Sequence, residues 1–154
     1  MIYFAYGSNL NPSQMAERCP GYRSLGVARL PGHRLVFPRF SPSRRCASAG
    51  FEPSPRDVLW GALYDVPDAD LTILNYHEGY NPDGPPDQNR HELREITVLR
   101  QGGSEPVRAL TYAAVPDGTS ELPSREYLDT IIDGALYHGL PRTWLVVLRA
   151  VRTA

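Results

Sequence analysis

Two places in this sequence combine residue types that could do chemistry. The first is Tyr6-Gly7-Ser8-Asn9, where a β-type run from Ile2 to Tyr6 stops just ahead of a helix start. Glycine lets the backbone approach a ligand closely, and the first N–H groups of a helix are unpaired at the positive end of its dipole. Such a place suits a carboxylate or a polarised carbonyl oxygen; the plain alternative is a structural turn. The second is Glu78, at the C-terminal end of a short helix and directly before Gly79. The dipole there disfavours a negative charge, and Tyr76, His77 and Tyr80 add aromatic neighbours. Both conditions favour the neutral acid, the form a carboxyl group must reach to give and take protons near neutrality. The plain alternative is an exposed glutamate ahead of a glycine cap.

Other reactive residue types carry less. The histidines, His33, His77, His91 and His138, are scattered and make no metal-ligand spacing, so neither a metal nor a cofactor is expected. Cys19 and Cys46 form no CxxC pair and read as packing residues. Arg34, Arg39, Arg44 and Arg45 make a basic stretch, either a solvated loop or a contact for an anionic substrate tail. Sixteen basic against seventeen acidic residues leave a formal charge of −1, which argues against a nucleic-acid surface. No apolar run approaches the length of a membrane span, and the start lacks the marks of a signal peptide. The expected location is cytoplasmic.

The elements that must position these residues are short and closely punctuated, with 15 prolines and 13 glycines in 154 residues. Asn11-Pro12-Ser13-Gln14 predicts a helix start: Asn11 caps, Pro12 suits the first helical position, and Gln14 can reach back as in a capping box. Strands are expected at Gly26 to Leu30, Arg34 to Phe37, Cys46 to Phe51 and Val58 to Val66. Pro67-Asp68 opens the helix that Gly79 stops. Asn81 to Gln88 reads as a surface loop. Glu92 to Arg100 and Val107 to Val115 form a hairpin around Gln101-Gly102-Gly103-Ser104. Pro123-Ser124 launches a helix whose stripe is Tyr127, Leu128, Ile131, Ile132 and Ala135; Gly139 closes it and Pro141 begins a last helix to about Arg149. Six or seven mostly consecutive strands with a few helices predict one α+β domain over 1–154, a curled sheet or small barrel with helices outside.

Five ordered segments resemble the γ-glutamylcyclotransferase family over nearly the whole chain. They are Tyr3-Phe4-Ala5-Tyr6-Gly7-Ser8-Asn9-Leu10, Val27-Ala28-Arg29-Leu30, Val58-Leu59-Trp60-Gly61, Glu78-Gly79, and Pro123-Ser124 with Tyr127, Gly134-Ala135 and Gly139-Leu140-Pro141. The resemblance implies a small mixed β-barrel flanked by helices, substrate binding by Tyr6, Gly7, Ser8, Asn9 and Leu10, and Glu78 as the acid/base. It further implies that Tyr112 and Tyr127 line the pocket; from pattern alone both read as half-buried core. His91 stands where relatives commonly carry a tyrosine, and the Tyr80 to Arg90 loop is long and proline-rich. Both departures are expected near the exit side of the pocket, where they bear on substrate identity. Asn9 after Ser8 departs from the glutathione-specific relatives, so glutathione is not the expected substrate.

The implied reaction needs little from the protein. A γ-glutamyl amide carries its own nucleophile, the α-amine, and ring closure gives 5-oxoproline and a free amine. Well-oriented intramolecular attack reaches effective molarities of roughly 10⁵ M or more, and one carboxylate can move both protons. Two other readings are a hydrolase or transferase acting on a γ-glutamyl or related amide in a tailoring pathway, and a ligand-binding module without chemistry on the same fold. The expected partner is a small-molecule γ-glutamyl substrate, with no nucleic acid and no membrane, and the chain a monomer or homodimer.

Overall fold

A computed structural model describes all residues, 1–154. The strands are β1 (Ile2–Ala5), β2 (Arg23–Ser41), β3 (Cys46–Asp65), β4 (His91–Arg100) and β5 (Pro106–Ala114). They close into a barrel in the order β1-β3-β2-β4-β5, antiparallel throughout except for the parallel seam where Tyr3 pairs with Leu110. Closure leaves no free edge inside the barrel. The helices pack outside it: α1 (Pro12–Arg18), α2 (Asp68–Glu78), α3 (Arg125–His138) and α4 (Arg142–Arg149). No helix is long and apolar enough to cross a membrane.

Five strands replace the expected six or seven, because two predicted breaks are not breaks. Gly26 to Leu30 and Arg34 to Phe37 are parts of the single strand β2, and Cys46 to Phe51 and Val58 to Val66 are parts of β3. Both breaks fall at one register shift, between the Pro31–Val58 and His33–Pro53 pairs, where Gly32 stands opposite Ser54 to Asp57; a second shift, between Val36 and Arg39, takes in Pro38. Extra residues on one strand kink a ladder and let it continue beyond them. The far half of this long hairpin therefore bends over one end of the barrel. It is held there by the 115–122 segment: Asp117 N–H donates to the Pro38 carbonyl, and Ala47 N–H to the Leu122 carbonyl.

Helix ends follow their local chemistry. Asn11 Oδ1 accepts from the N–H groups of Ser13 and Gln14 and caps α1. The second half of the expected capping box does not form, since the Gln14 amide turns away to Ser8 and Asn9. Gly79 ends α2 at φ 63°, the left-handed region that a side chain resists, and a Cβ there would also meet Arg90 Nε at 2.3 Å. Ser124 Oγ accepts from the Tyr127 N–H to start α3, and Gly139 ends it. The whole predicted stripe of α3 is buried. Gly134, on the same helix, lets α3 press against the turn after β1: a Cβ there would lie 2.3 Å from the Leu10 carbonyl carbon and 2.5 Å from the Asn11 nitrogen. This close approach fixes the height of the Gly7-Ser8-Asn9 turn against the barrel.

Candidate active site

The turn after β1 is a single 3-10 turn, Ser8–Leu10. Its N–H groups at Gly7, Ser8 and Asn9 have no hydrogen-bond partner in the chain, whereas those of Leu10 and Asn11 bond back to Gly7 and Ser8. Three donors thus stand free on residues that line a pocket of about 90 Å³. That pocket also takes in Glu78, Tyr112, Tyr127 and His91, which come from α2, β5, α3 and β4. Leu10 does not join them; its side chain is fully buried in the core. The Asn81 to Gln88 loop also lies outside the lining, and of the longer 80–90 segment only Arg90 reaches the pocket.

Asn9 is the hub. It is 3% exposed, and all four of its amide hydrogen-bonding positions are used. Nδ2 donates to Glu78 Oε1 at 2.8 Å and to the Tyr3 hydroxyl at 2.9 Å. Oδ1 accepts from Gln14 Nε2 at 2.9 Å and Arg18 Nη1 at 3.0 Å. Complete satisfaction allows one orientation of the amide and therefore one position for Glu78 Oε1. Arg18 Nη1 also lies 3.7 Å from that oxygen, in a pair whose side chains are 16% and 14% exposed. Glu78 Oε2 makes no hydrogen bond, and His91 Nε2 lies 3.8 Å from it. One carboxylate oxygen is anchored and the other is free to exchange a proton.

Ser8 is poised in the same way. Its Oγ accepts from Gln14 Nε2 at 2.8 Å and from Arg44 Nη2 at 3.3 Å. Both lone pairs are engaged, so the hydroxyl hydrogen is left to donate into the pocket. Arg44 in turn donates to Gln14 Oε1 at 2.5 Å and lies 4.7 Å over the Tyr127 ring, a cation–π contact.

The aromatic surroundings of Glu78 differ from those its sequence neighbours suggested. Tyr76 is 78% exposed and points away. The rings that face the carboxylate belong to Tyr3, Tyr6, Tyr112 and Tyr127. Burial first, and the Glu78 charge second, hold the Tyr3, Tyr6 and Tyr112 phenols well above the ordinary tyrosine range. Burial pushes Tyr127 up to about 12, against the Ala49 N–H that its oxygen accepts at 2.9 Å. Tyr6 donates to the Tyr112 carbonyl at 2.6 Å, and Tyr112 to Asn75 Oδ1 at 2.5 Å, tying β1, β5 and α2 together around the acid. All four stay protonated near neutrality and act as walls and donors. Both cysteines are buried and unpaired, and burial pushes the Cys19 thiol up to about 11, far from a nucleophile's range.

The sequence reading gave Tyr3, Gln14 and Arg18 no part in the site. Asn11, Gln14 and Arg18 are spaced i, i+3, i+7, which puts them on one face of α1, and that face meets the turn after β1. The spacing was available as a signal. Arg39 and Arg44 of the basic stretch line the pocket, whereas Arg34 pairs with Glu52 on the surface.

Fold and site together define a small closed barrel with a polar, acid-bearing pocket at one end. Residues 58–148 match the AIG2-like family, well over half of the chain, and the chain belongs to that family. It is 29% identical to the human and bovine gamma-glutamylcyclotransferases, matching 97% of this chain and 78% of each relative. Among solved structures it resembles a gamma-glutamyl cyclotransferase with a TM-score of 0.88 at 27% identity, over 99% of this chain and 88% of that one.

Proposed function

We propose that the protein is a γ-glutamylcyclotransferase that converts γ-glutamyl amides to 5-oxoproline and a free amine. The observation that carries this reading is the free Glu78 Oε2 sharing one small pocket with three unpaired N–H groups. Glu78 takes a proton from the substrate α-ammonium through Oε2. The freed amine attacks the γ-carbonyl carbon, closing the five-membered ring. Negative charge growing on the carbonyl oxygen is met by the N–H groups of Gly7, Ser8 and Asn9 and the Ser8 hydroxyl, donors set in place beforehand. The proton then passes from Glu78 to the departing nitrogen as the C–N bond breaks, and the ring nitrogen gives its second proton to the freed carboxylate, which hands it to the released amine and leaves the neutral lactam. The walls are Tyr6, Tyr112 and Tyr127.

The arginine content of the pocket bears on the amine half. Arg39, Arg44 and Arg90 line it without a carboxylate partner in the chain. With Arg18 paired to Glu78, these three unpaired cations favour a substrate with an anionic group beyond the glutamyl α-carboxylate, so γ-glutamyl amino acids are the preferred class over γ-glutamyl amines. A panel of both classes tests the proposal. The expected result is stoichiometric 5-oxoproline, fastest with amino-acid leaving groups; free glutamate in its place identifies a hydrolase, and binding without turnover a ligand-binding module.

A further inference from the structure

His91 faces two atoms of the same residue. Its Nδ1 lies 2.8 Å from the Glu78 carbonyl oxygen, which can only accept, so Nδ1 carries the hydrogen of the neutral ring. Its Nε2 is then a bare lone pair 3.8 Å from Glu78 Oε2. Two acceptors cannot bond to one another, and the gap is about 0.6 Å beyond the ordinary hydrogen-bond range. Protonating either one changes that. A proton on Oε2 gives a donor to Nε2; a proton on Nε2 gives an ion pair that occupies the only unbonded oxygen of the carboxylate.

The ring is well held for this part. His91 pairs with Ala114 across the β4–β5 ladder, Arg90 N–H donates to the Gly79 carbonyl, and Val115 N–H to the Arg90 carbonyl. Its side chain is only 15% exposed. The other ionisable groups around the pair do not change charge near neutrality. Arg18 from α1 and Arg90 ahead of β4 are arginines, which stay cationic. The tyrosines contributed by β1, β5 and α3 are held protonated by burial. His77 on α2 is drawn below the usual histidine range by burial and then by Arg18.

We propose that His91 is a positioning residue for Glu78, accepting a hydrogen bond from the protonated carboxyl between its two proton transfers and withdrawing the base when His91 itself is protonated. This rests on the reading of Glu78 as the proton-transfer group. No covalent bond is made to His91 and no proton is transferred to it in the cycle: each proton goes from the α-nitrogen to Oε2, is held there against Nε2, and leaves on the amine nitrogen.

His91→Asn separates anchoring from proton handling, because its amide can reach the Glu78 carbonyl from the Nδ1 position but offers nothing that titrates at Nε2. The expected variant keeps the parent's melting temperature and, to within about twofold, its KM. Its kcat falls about tenfold, and the acid limb of its kcat/KM profile moves to lower pH. ¹⁵N NMR of the parent is expected to show the Nδ1–H tautomer with Nε2 as the bare nitrogen. A pH profile of His91→Asn that superimposes on the parent's, or an Nε2–H tautomer, overturns the proposal. The tautomer is read without turnover, so His91 is judged separately from the cyclotransferase reading, which fails only if the parent releases no 5-oxoproline.

Discussion

Two of the chain's four arginine–glutamate pairs sit in opposite settings. Arg34 and Glu52 meet across the β2–β3 hairpin, with Arg34 Nε donating to Glu52 Oε1 at 2.7 Å and side chains 58% and 44% exposed. Arg18 and Glu78 are farther apart, at 3.7 Å, yet are mostly shielded from water and joined through Asn9. The closer pair contributes less. Water screens an exposed ion pair almost completely, whereas a sheltered charge loses hydration and depends on the groups around it. The distances alone would rank the two the wrong way round. What distinguishes the pocket is that the groups around Glu78 and Ser8 fix one another, leaving one carboxylate oxygen, three N–H groups and one hydroxyl unspent.

That contrast can be broken from several sides. The largest stability effect is expected from Gly134→Ala, where the added methyl has no room against the Leu10 and Asn11 backbone. Denaturant unfolding should show a loss of about 3 kcal/mol, with turnover lost as the turn after β1 is pushed off the pocket. Asn9→Leu keeps the approximate volume but strands Glu78 Oε1 and the Gln14 and Arg18 donors. A loss of about 2–3 kcal/mol is expected by the same method, with the carboxylate no longer held. Tyr127→Phe leaves the Ala49 N–H without its acceptor and should lose about 1–2 kcal/mol in thermal or chemical unfolding. Arg34→Ala, at the tighter ion pair, should shift stability by less than about 0.5 kcal/mol and leave turnover unchanged. If Arg34→Ala proved as costly as Asn9→Leu, the contrast between the two regions would fail.

The same contrast explains what could be read from the sequence. Helix ends were legible because their signals are local: Asn11, Ser124, Gly79 and Gly139 cap where their side chains or backbone freedom require. The hairpin at Gly102-Gly103 and the α3 stripe were legible for the same reason. Barrel closure was not, since pairing Tyr3 with Leu110 is a long-range event with no local mark. Pro31 and Pro38 misled, because a proline at a bulge looks the same in sequence as a proline at a turn. At the site, the resemblance to known relatives named Glu78 and the turn after β1, and it carried Leu10 along with them although that side chain is core. Gln14 and Arg18 look like the solvent face of a short helix until the turn is folded against them. His91 was noticed as a departure and expected at the pocket's exit side; its contact with Glu78 depends on the β4–β5 register.

The central claim is that Glu78 moves the protons of a cyclisation in this pocket, and Glu78→Gln tests it most directly. Glutamine keeps the shape and can still meet the Asn9 amide through its oxygen, but it cannot serve as a base. Turnover of a γ-glutamyl amino acid, measured as 5-oxoproline release, should fall by about 10²–10⁴-fold while calorimetry still shows the amide bound. A variant that binds and cyclises the same amide at the parent's rate would contradict the account.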